Sequence, residues 1–266
     1  MGSEMCIRDR TIVFANQKGG TGKTTTVISI GDAFARLGKR VLIADLDPQG
    51  HAAVSLNLDA EPCVANWLMY PLFNNQPITP EVMNQWIRPT RQENLFLLPG
   101  NQMTAKAQRM LAIEDTPINY INDHQFAIRR LGFDYLLFDT PPSTGGLQEM
   151  ASWAADLTVI VSSLDYLSAD GVWGFVEMLQ VLNREKRWKG KLAGILPTFY
   201  DEQTRTTRAQ MTNLQRAFPD QVFTPIHRAT LLREASAEGL TIFQKDPGSR
   251  PAREYEKFAA QLVKLD

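Results

Sequence analysis

From Thr11 onward, two hydrophobic patterns alternate along the chain. Short, continuous apolar runs occur at Thr11–Asn16, Val41–Asp45, Leu95–Leu98, Tyr135–Asp139, Leu157–Val161 and Leu192–Leu196. They lack the every-other-residue polarity of a half-exposed strand, so they read as strands buried on both faces. Between them, apolar residues recur at helical spacing. Thr24–Leu37 sets Val27, Ile30, Phe34 and Leu37 on one face and is closed by Gly38. Further helices are predicted at about Gln125–Leu131, Leu147–Ala154, Gly171–Leu182 and Thr206–Phe218. A last one, Pro251–Leu265, carries Tyr255, Phe258, Ala259 and Leu262 as its apolar stripe. Ala60–Arg91 is the least regular stretch and is expected to hold short helices beside the sheet. Strands alternating with helices predict an α/β fold, a doubly wound, mostly parallel sheet with helices on both faces. No internal repeat or low-complexity linker breaks the pattern, so residues 11–266 are expected to form a single domain.

The first ten residues, Met-Gly-Ser-Glu-Met-Cys-Ile-Arg-Asp-Arg, share none of this periodicity and read as a tag or a cloning or sequencing scar. Composition changes little else. With 44% hydrophobic and 21% charged residues, the 266-residue chain excludes disordered, collagenous and coiled-coil classes. No apolar run approaches the roughly 18 residues of a membrane span. The two cysteines, Cys6 and Cys63, are too few for a disulfide framework or a cysteine-held cluster, which points to a reducing cytoplasm.

Charge is more informative when it is divided. The whole chain carries −1, which taken alone argues against a nucleic-acid partner. Residues 184–233, however, hold ten basic side chains (Arg184, Lys186, Arg187, Lys189, Lys191, Arg205, Arg208, Arg216, Arg228 and Arg233) against four acidic ones, a net of +6 that leaves −7 elsewhere. Near-neutrality is thus an average over two unlike parts.

The chemistry concentrates in Gln17-Lys18-Gly19-Gly20-Thr21-Gly22-Lys23-Thr24-Thr25, directly after a strand and at the start of a helix. Glycines let successive backbone N–H groups turn inward on a phosphate, and the helix N-terminus favours its negative charge. Lys23 and Thr24 stand where a phosphate-binding loop needs its lysine and its Mg²⁺-binding hydroxyl. Two more strands end in carboxylates, Asp45 and Asp47 in Asp45-Leu46-Asp47-Pro48-Gln49-Gly50, and Asp139 in Asp139-Thr140-Pro141-Pro142. Ligands of doubly wound sheets sit at these strand ends, and Asp139 occupies the expected place of a carboxylate that holds Mg²⁺ through water.

Lys18-Gly19-Gly20-Thr21-Gly22-Lys23-Thr24-Thr25, with its second lysine ahead of the glycines, together with the two carboxylate segments resembles the deviant-Walker ATPases of the ParA/MinD group. Within that group the chain is similar to ParA. Leu97-Leu98-Pro99-Gly100-Asn101, Pro197-Thr198-Phe199-Tyr200-Asp201 and Ile226-His227-Arg228…Glu234-Ala235…Asp246-Pro247…Arg250 follow in ParA order. The resemblance spans essentially all of the chain from Thr11. It implies ATP and Mg²⁺ as cofactors and an ATP-dependent sandwich homodimer. Residues 18–25 would cradle the phosphates, with Lys23 on the β/γ oxygens, Thr25 near the α-phosphate and Thr24, Asp45 and Asp139 at the metal. Asp47 would orient the attacking water and Lys18 would reach the partner's ATP in trans. Adenine would lie against Pro197, Thr198 and the Pro225–Arg228 turn.

The resemblance further implies non-specific DNA binding, here through Arg205, Arg208, Arg228 and Arg233, and a ParB-like or other adaptor. Partition of plasmid or chromosome DNA, or positioning of another cargo, would follow, in the cytoplasm and on the nucleoid. Two ParA basic positions are displaced in this chain. Leu231 and Gln203 stand where a basic residue is usual, with Arg233 and Arg205 two residues further on. A MinD-like membrane role would need a basic amphipathic C-terminal helix, but the last helix mixes Arg253 and Lys257 with Glu254 and Glu256. A P-loop small-molecule kinase or synthetase is the rival from a different class, and it would have no use for Lys18.

Overall fold

The computed structural model describes residues 10–74, 76–143, 145–164 and 168–265, with the side chains of 168–170 excepted. The first nine residues of the presumptive scar, Cys6 among them, lie outside the described residues. Arg10, the last of the ten, lies in the sheet. It opens the first strand, pairs with Tyr135, and donates its backbone N–H to the Asp134 carbonyl at 2.9 Å.

Seven strands form one sheet: β1 (Arg10–Ala15), β2 (Val41–Asp45), β3 (Arg88–Pro89), β4 (Leu95–Leu98), β5 (Tyr135–Asp139), β6 (Leu157–Ser163) and β7 (Lys191–Thr198). Their spatial order is β3-β4-β2-β5-β1-β6-β7. Every pairing is parallel except β3 with β4, an antiparallel edge that interrupts the otherwise parallel layout within the irregular 60–91 stretch. Pro89, which cannot donate to a ladder, sits on that edge strand. Thirteen helices accompany the sheet among the described residues: α1 (Lys23–Arg36), α2 (His51–Ser55), α3 (Val64–Asn74), α4 (Pro80–Trp86), α5 (Gln102–Ile113), α6 (Tyr120–His124), α7 (Phe126–Arg129), α8 (Leu147–Ala154), α9 (Ser168–Lys186), α10 (Arg205–Ala217), α11 (Thr230–Ala237), α12 (Ile242–Lys245) and α13 (Arg250–Val263). None is long and apolar enough to cross a membrane.

Alternate residues of each strand feed opposite cores. Val13, Leu42, Leu136 and Phe138 face one cluster with residues of α3, α5, α8 and α9, while Ile12, Phe14, Ile43 and Leu137 face a second with α1, α12 and α13. Two covered faces explain the unbroken apolar runs. α1 lies in the second core, where Phe34 stacks on Tyr135 at 4.3 Å between ring centroids. The cover also includes α5, α11 and α12, for which the periodicity gave no expectation. α5 is nevertheless marked in the sequence, because Asn101 and Thr104 form a reciprocal capping box at its start.

Strand order sets the site. β5 lies between β1 and β2, so Asp139 is the cross-strand neighbour of both Phe14 and Asp45. Because Phe34 is fully buried on the helix that carries the phosphate loop, Phe34→Ala is expected to lower folding stability by about 3–5 kcal/mol, read from urea denaturation midpoints.

Candidate functional site

The glycine-rich segment runs from the end of β1 into α1 and is held from both sides. Asn16, buried, donates its amide to the Val161 carbonyl on β6 at 2.7 Å and accepts the Lys18 N–H at 3.0 Å. On the other side, the Thr198 hydroxyl at the end of β7 donates to the Thr21 carbonyl at 2.8 Å. Gly20 and Gly22 both have left-handed backbones, with φ of 71° and 84°, so the turn requires residues without a Cβ there. Lys23 folds back into the loop, where its Nζ donates to the Lys18 carbonyl at 3.2 Å and lies 3.5 Å from the Asn16 carbonyl. Burial lowers its pKa from the ordinary lysine value, and the charges of Asp139 and Asp47 oppose that shift.

The carboxylates meet beside this loop. Asp45 is fully buried and both of its oxygens accept backbone N–H groups, Oδ1 from Asp47 at 2.9 Å and Oδ2 from Ala52 at 3.2 Å. It therefore organises the turn that presents Asp47, and Asp47 in turn accepts the Gln49 N–H at 2.9 Å. Gly100 closes over that turn so tightly that a Cβ there would stand 2.6 Å from the Asp47 carbonyl. Asp139 differs from Asp45: among the described residues no backbone N–H donates to either of its oxygens, and only the Thr24 hydroxyl faces it. Burial first, with Asp47 adding, pushes its pKa up to about 7, while the facing Thr24 hydroxyl and Lys23 act in the opposite sense. Burial and then Asp139 raise Asp45 well above the usual carboxylate range. Two adjacent buried carboxylates with one ammonium acting on Asp139 are short of positive charge, and hard oxygen donors of this kind suit Mg²⁺. Among the described residues no three His, Cys, Asp or Glu side chains cluster to hold a metal unaided, so such an ion would take the rest of its shell from water and phosphate.

Comparison with known proteins fixes the family. A family profile described as an AAA domain matches residues 9–192. The chromosome-partitioning ATPase Soj of Thermus thermophilus is 35% identical over 255 residues, which cover 96% of this chain and 95% of that protein. The chain belongs to the ParA family of P-loop ATPases. Among solved structures, an ATP complex of a McdA variant from Cyanothece superposes with a TM-score of 0.82 over 97% of each chain, at 19% identity, a likeness of fold. Cobyrinic acid a,c-diamide synthase from Mycobacterium smegmatis, with a bound ATP analogue and magnesium, gives 0.79 at 30% identity over 96% of this chain and 94% of that one.

Next to the ParA-family loop lies a cavity of about 620 Å³, lined by Gly20, Gly22, Thr25, Thr198, Arg228 and Arg233 among others. Thr198 and Arg228, expected near adenine, both line it. Pro197 is not part of that lining, but its carbonyl accepts the Ile226 N–H at 2.9 Å and so ties the cavity wall to β7. Phe199, marked in the sequence only as part of the Pro197–Asp201 motif, has a left-handed φ of 54°, lies under the Arg228 guanidinium at 5.3 Å and packs beside Gly22. The wall continues into α11, whose Leu232 and Ser236 also face the cavity.

The four arginines proposed for DNA divide between two places. Arg228 and Arg233 belong to the cavity wall, whereas Arg205 and Arg208 are exposed on the first turns of α10. Leu231, at the displaced basic position, packs on the second core. Lys18 extends along α9, such that a Cβ at Gly171 would stand 3.4 Å from its Cε.

The raised carboxylates give the free protein a pH signature. Asp139 binds its proton more tightly folded than unfolded, so without nucleotide or divalent cation its contribution to stability falls as pH rises from the ordinary 3.8 to about 7. Asp139→Asn removes that titration. It is expected to flatten the fall and to leave the variant more stable than the parent above pH 7, read from urea denaturation across pH in chelator.

Proposed function

We propose that this ParA-family protein is an ATP-driven positioning ATPase that dimerises around ATP, binds DNA without sequence preference and hydrolyses ATP to release it, under the control of a ParB-like or other adaptor. The observation that carries the reading is the pairing of Lys23, held inside the glycine loop, with the Asp139 carboxylate beside it, which no backbone N–H reaches among the described residues. That arrangement fits a Mg²⁺-nucleotide phosphate group. Strong supports are the 35% identity to a chromosome-partitioning ATPase and the loop's second lysine, Lys18.

Mg²⁺–ATP would supply a phosphoanhydride whose terminal phosphoryl group can be transferred to water. The chain's own residues then divide the work. Backbone N–H groups of residues 19–22 and the start of α1 would face the phosphates, and Lys23 would neutralise their β/γ charge. Thr24 and Asp139 would hold the metal; Asp45, also expected there, has both oxygens taken by backbone N–H groups and keeps the adjoining turn in place. Asp47, half-buried at the exposed end of that turn, is set to orient a water and accept its proton. Lys18, whose stem packs beside Gly171 of α9, would be the residue offered to a second copy of the chain. A cation supplied in trans accelerates related phosphoryl transfers by about 10³–10⁵-fold. Thr198, Arg228 and the Phe199 ring beside Gly22 would enclose the base and ribose.

The 30% identity to a diamide synthase supports a second reading, a P-loop small-molecule synthetase that uses ATP. The two readings separate on oligomeric state and on DNA. Sedimentation with a slowly hydrolysed ATP analogue is expected to show a dimer, and duplex DNA of arbitrary sequence is expected to bind in a steeply salt-dependent way. A monomer that ignores DNA in every nucleotide state would favour the synthetase.

Lys23→Ala is expected to abolish ATP binding in equilibrium titration, and unchanged affinity would remove the loop from the mechanism. Asp47→Ala should bind ATP and dimerise but turn it over at least about a hundredfold more slowly, within the range of a lost general base. Lys18→Ala is expected to keep ATP affinity and lose the dimer in sedimentation. Survival of both the dimer and turnover would make Lys18 an ordinary loop lysine.

A further inference from the structure

The most strongly basic segment of the chain is not at the nucleotide site. Arg184, Lys186, Arg187, Lys189 and Lys191 fall within eight residues, on the turn from α9 into β7, and all five are exposed. That turn leads into the N-terminal end of β7, whereas Thr198, which touches the phosphate loop, ends the strand. At about 3.3 Å per residue the strand sets the two roughly 23 Å apart.

The turn's backbone is pinned and its five basic side chains are exposed; of these, Lys191 is tied down, its Nζ donating to the Leu265 carbonyl at 3.1 Å. The Trp153 indole donates to the Lys186 carbonyl at 2.8 Å, and Trp188, buried, donates its ring N–H to the Ala155 carbonyl at 3.3 Å. Its backbone N–H reaches Leu182 at 3.1 Å. Gly190 passes so close to the Ala155 carbonyl that a Cβ there would stand 2.3 Å from it. Arg187 holds a left-handed φ of 56°. Arg184 and Lys186 occupy the last turn of α9, where cations also stabilise the helix C-terminus, but Arg187, Lys189 and Lys191 lie beyond it. Among the described residues none of the five forms an ion pair. Acidic residues near it include Glu185 at the end of α9 and Asp156, whose backbone carbonyl accepts the Lys191 N–H.

We propose that the α9–β7 turn is a contact surface for the phosphate backbone of duplex DNA that is open in every nucleotide state. The choice of DNA rests on the positioning reading above. Within the turn, the chemistry favours phosphate over an acidic protein. Lysine is depleted at protein interfaces, which depend on apolar anchors, and the one aromatic side chain of the turn, Trp188, is buried in the core. Phosphate neutralisation needs only exposed cations, and a backbone locked by two indoles presents them with little ordering cost. A contact on this edge would keep the protein near DNA while the nucleotide site cycles at the other.

The test is fluorescence anisotropy of a short duplex of arbitrary sequence, titrated with the full chain without nucleotide, with ADP and with a slowly hydrolysed ATP analogue, over a salt series. Nucleotide-free wild type is expected to bind weakly, and the exposed pair Lys186→Gln/Lys189→Gln should reduce the slope of log affinity on log salt by about 2 in all three states. ATP binding by that variant should stay unchanged, which checks its fold. Absence of nucleotide-free binding, or an unchanged slope in the Lys186/Lys189 variant, overturns the inference even where ATP-dependent binding stands. Loss of the ATP dependence with a reduced slope in that variant instead overturns the positioning reading and keeps this one. Displacement of the duplex by polyglutamate as effectively as by unlabelled DNA would assign the turn to an acidic protein and also overturn the inference.

Discussion

Two carboxylates on neighbouring strands, out of contact with water, are the constraint around which the rest of this molecule is arranged. Asp45 and Asp139 face each other across β2 and β5, and burial pushes both toward their protonated forms. A pair of like charges in such a place is tolerated only if something offsets it. Asp45 is offset locally, by two backbone N–H groups that its own turn supplies. For Asp139 the loop supplies no such partner, only the Lys23 ammonium and the Thr24 hydroxyl nearby. The fold thus holds a charge deficit at one point, where a divalent cation would be most favourable, and it places the helix that begins with Lys23 against that point.

The deficit is useful only because its surroundings do not relax around it. Asn16 fastens the loop to β6 and Thr198 fastens it to β7, so the glycines cannot collapse onto the carboxylates. Rigid anchoring of a charged loop means that little reorganisation remains when phosphate arrives. The same turn also reaches the cavity wall. Asp45 accepts the Ala52 N–H at the start of α2, and at the far end of α2 the Ser55 hydroxyl accepts from Ser236 of α11 at 2.7 Å. The buried carboxylate and the helix beside Arg228 and Arg233 are therefore joined through one short helix.

Much of this was legible in the residue pattern. Continuous apolar runs identified six strands because both faces of the sheet are covered, and the glycine loop and its carboxylates are contiguous motifs whose spacing is local. The parts that were missed depend on contacts across the chain. α11 lies outside any long apolar period, since one of its faces lines a cavity and Ala235 is its buried residue. Phe199 looks like an ordinary residue after a strand until the left-handed backbone turns its ring against Gly22. The lack of a backbone donor to Asp139 among the described residues could not be read from sequence, because it depends on which backbone amides do not point at it. Arg10 was set aside with a non-periodic leader although its register with Tyr135 makes it part of the sheet.

The basic stretch shows the same limit in its sharpest form. Along the sequence, residues 184–233 form one block of charge. In space, β7 runs through the middle of that block, and a parallel strand separates its ends by its full length. Cations before the strand are thereby assigned to the edge away from the nucleotide, and Arg228 and Arg233, which return to the strand's other end, to the edge beside it. A net charge counted along a sequence window can therefore describe two surfaces at once. Their responses to ATP need not be alike, because only one of them shares a wall with the phosphate loop.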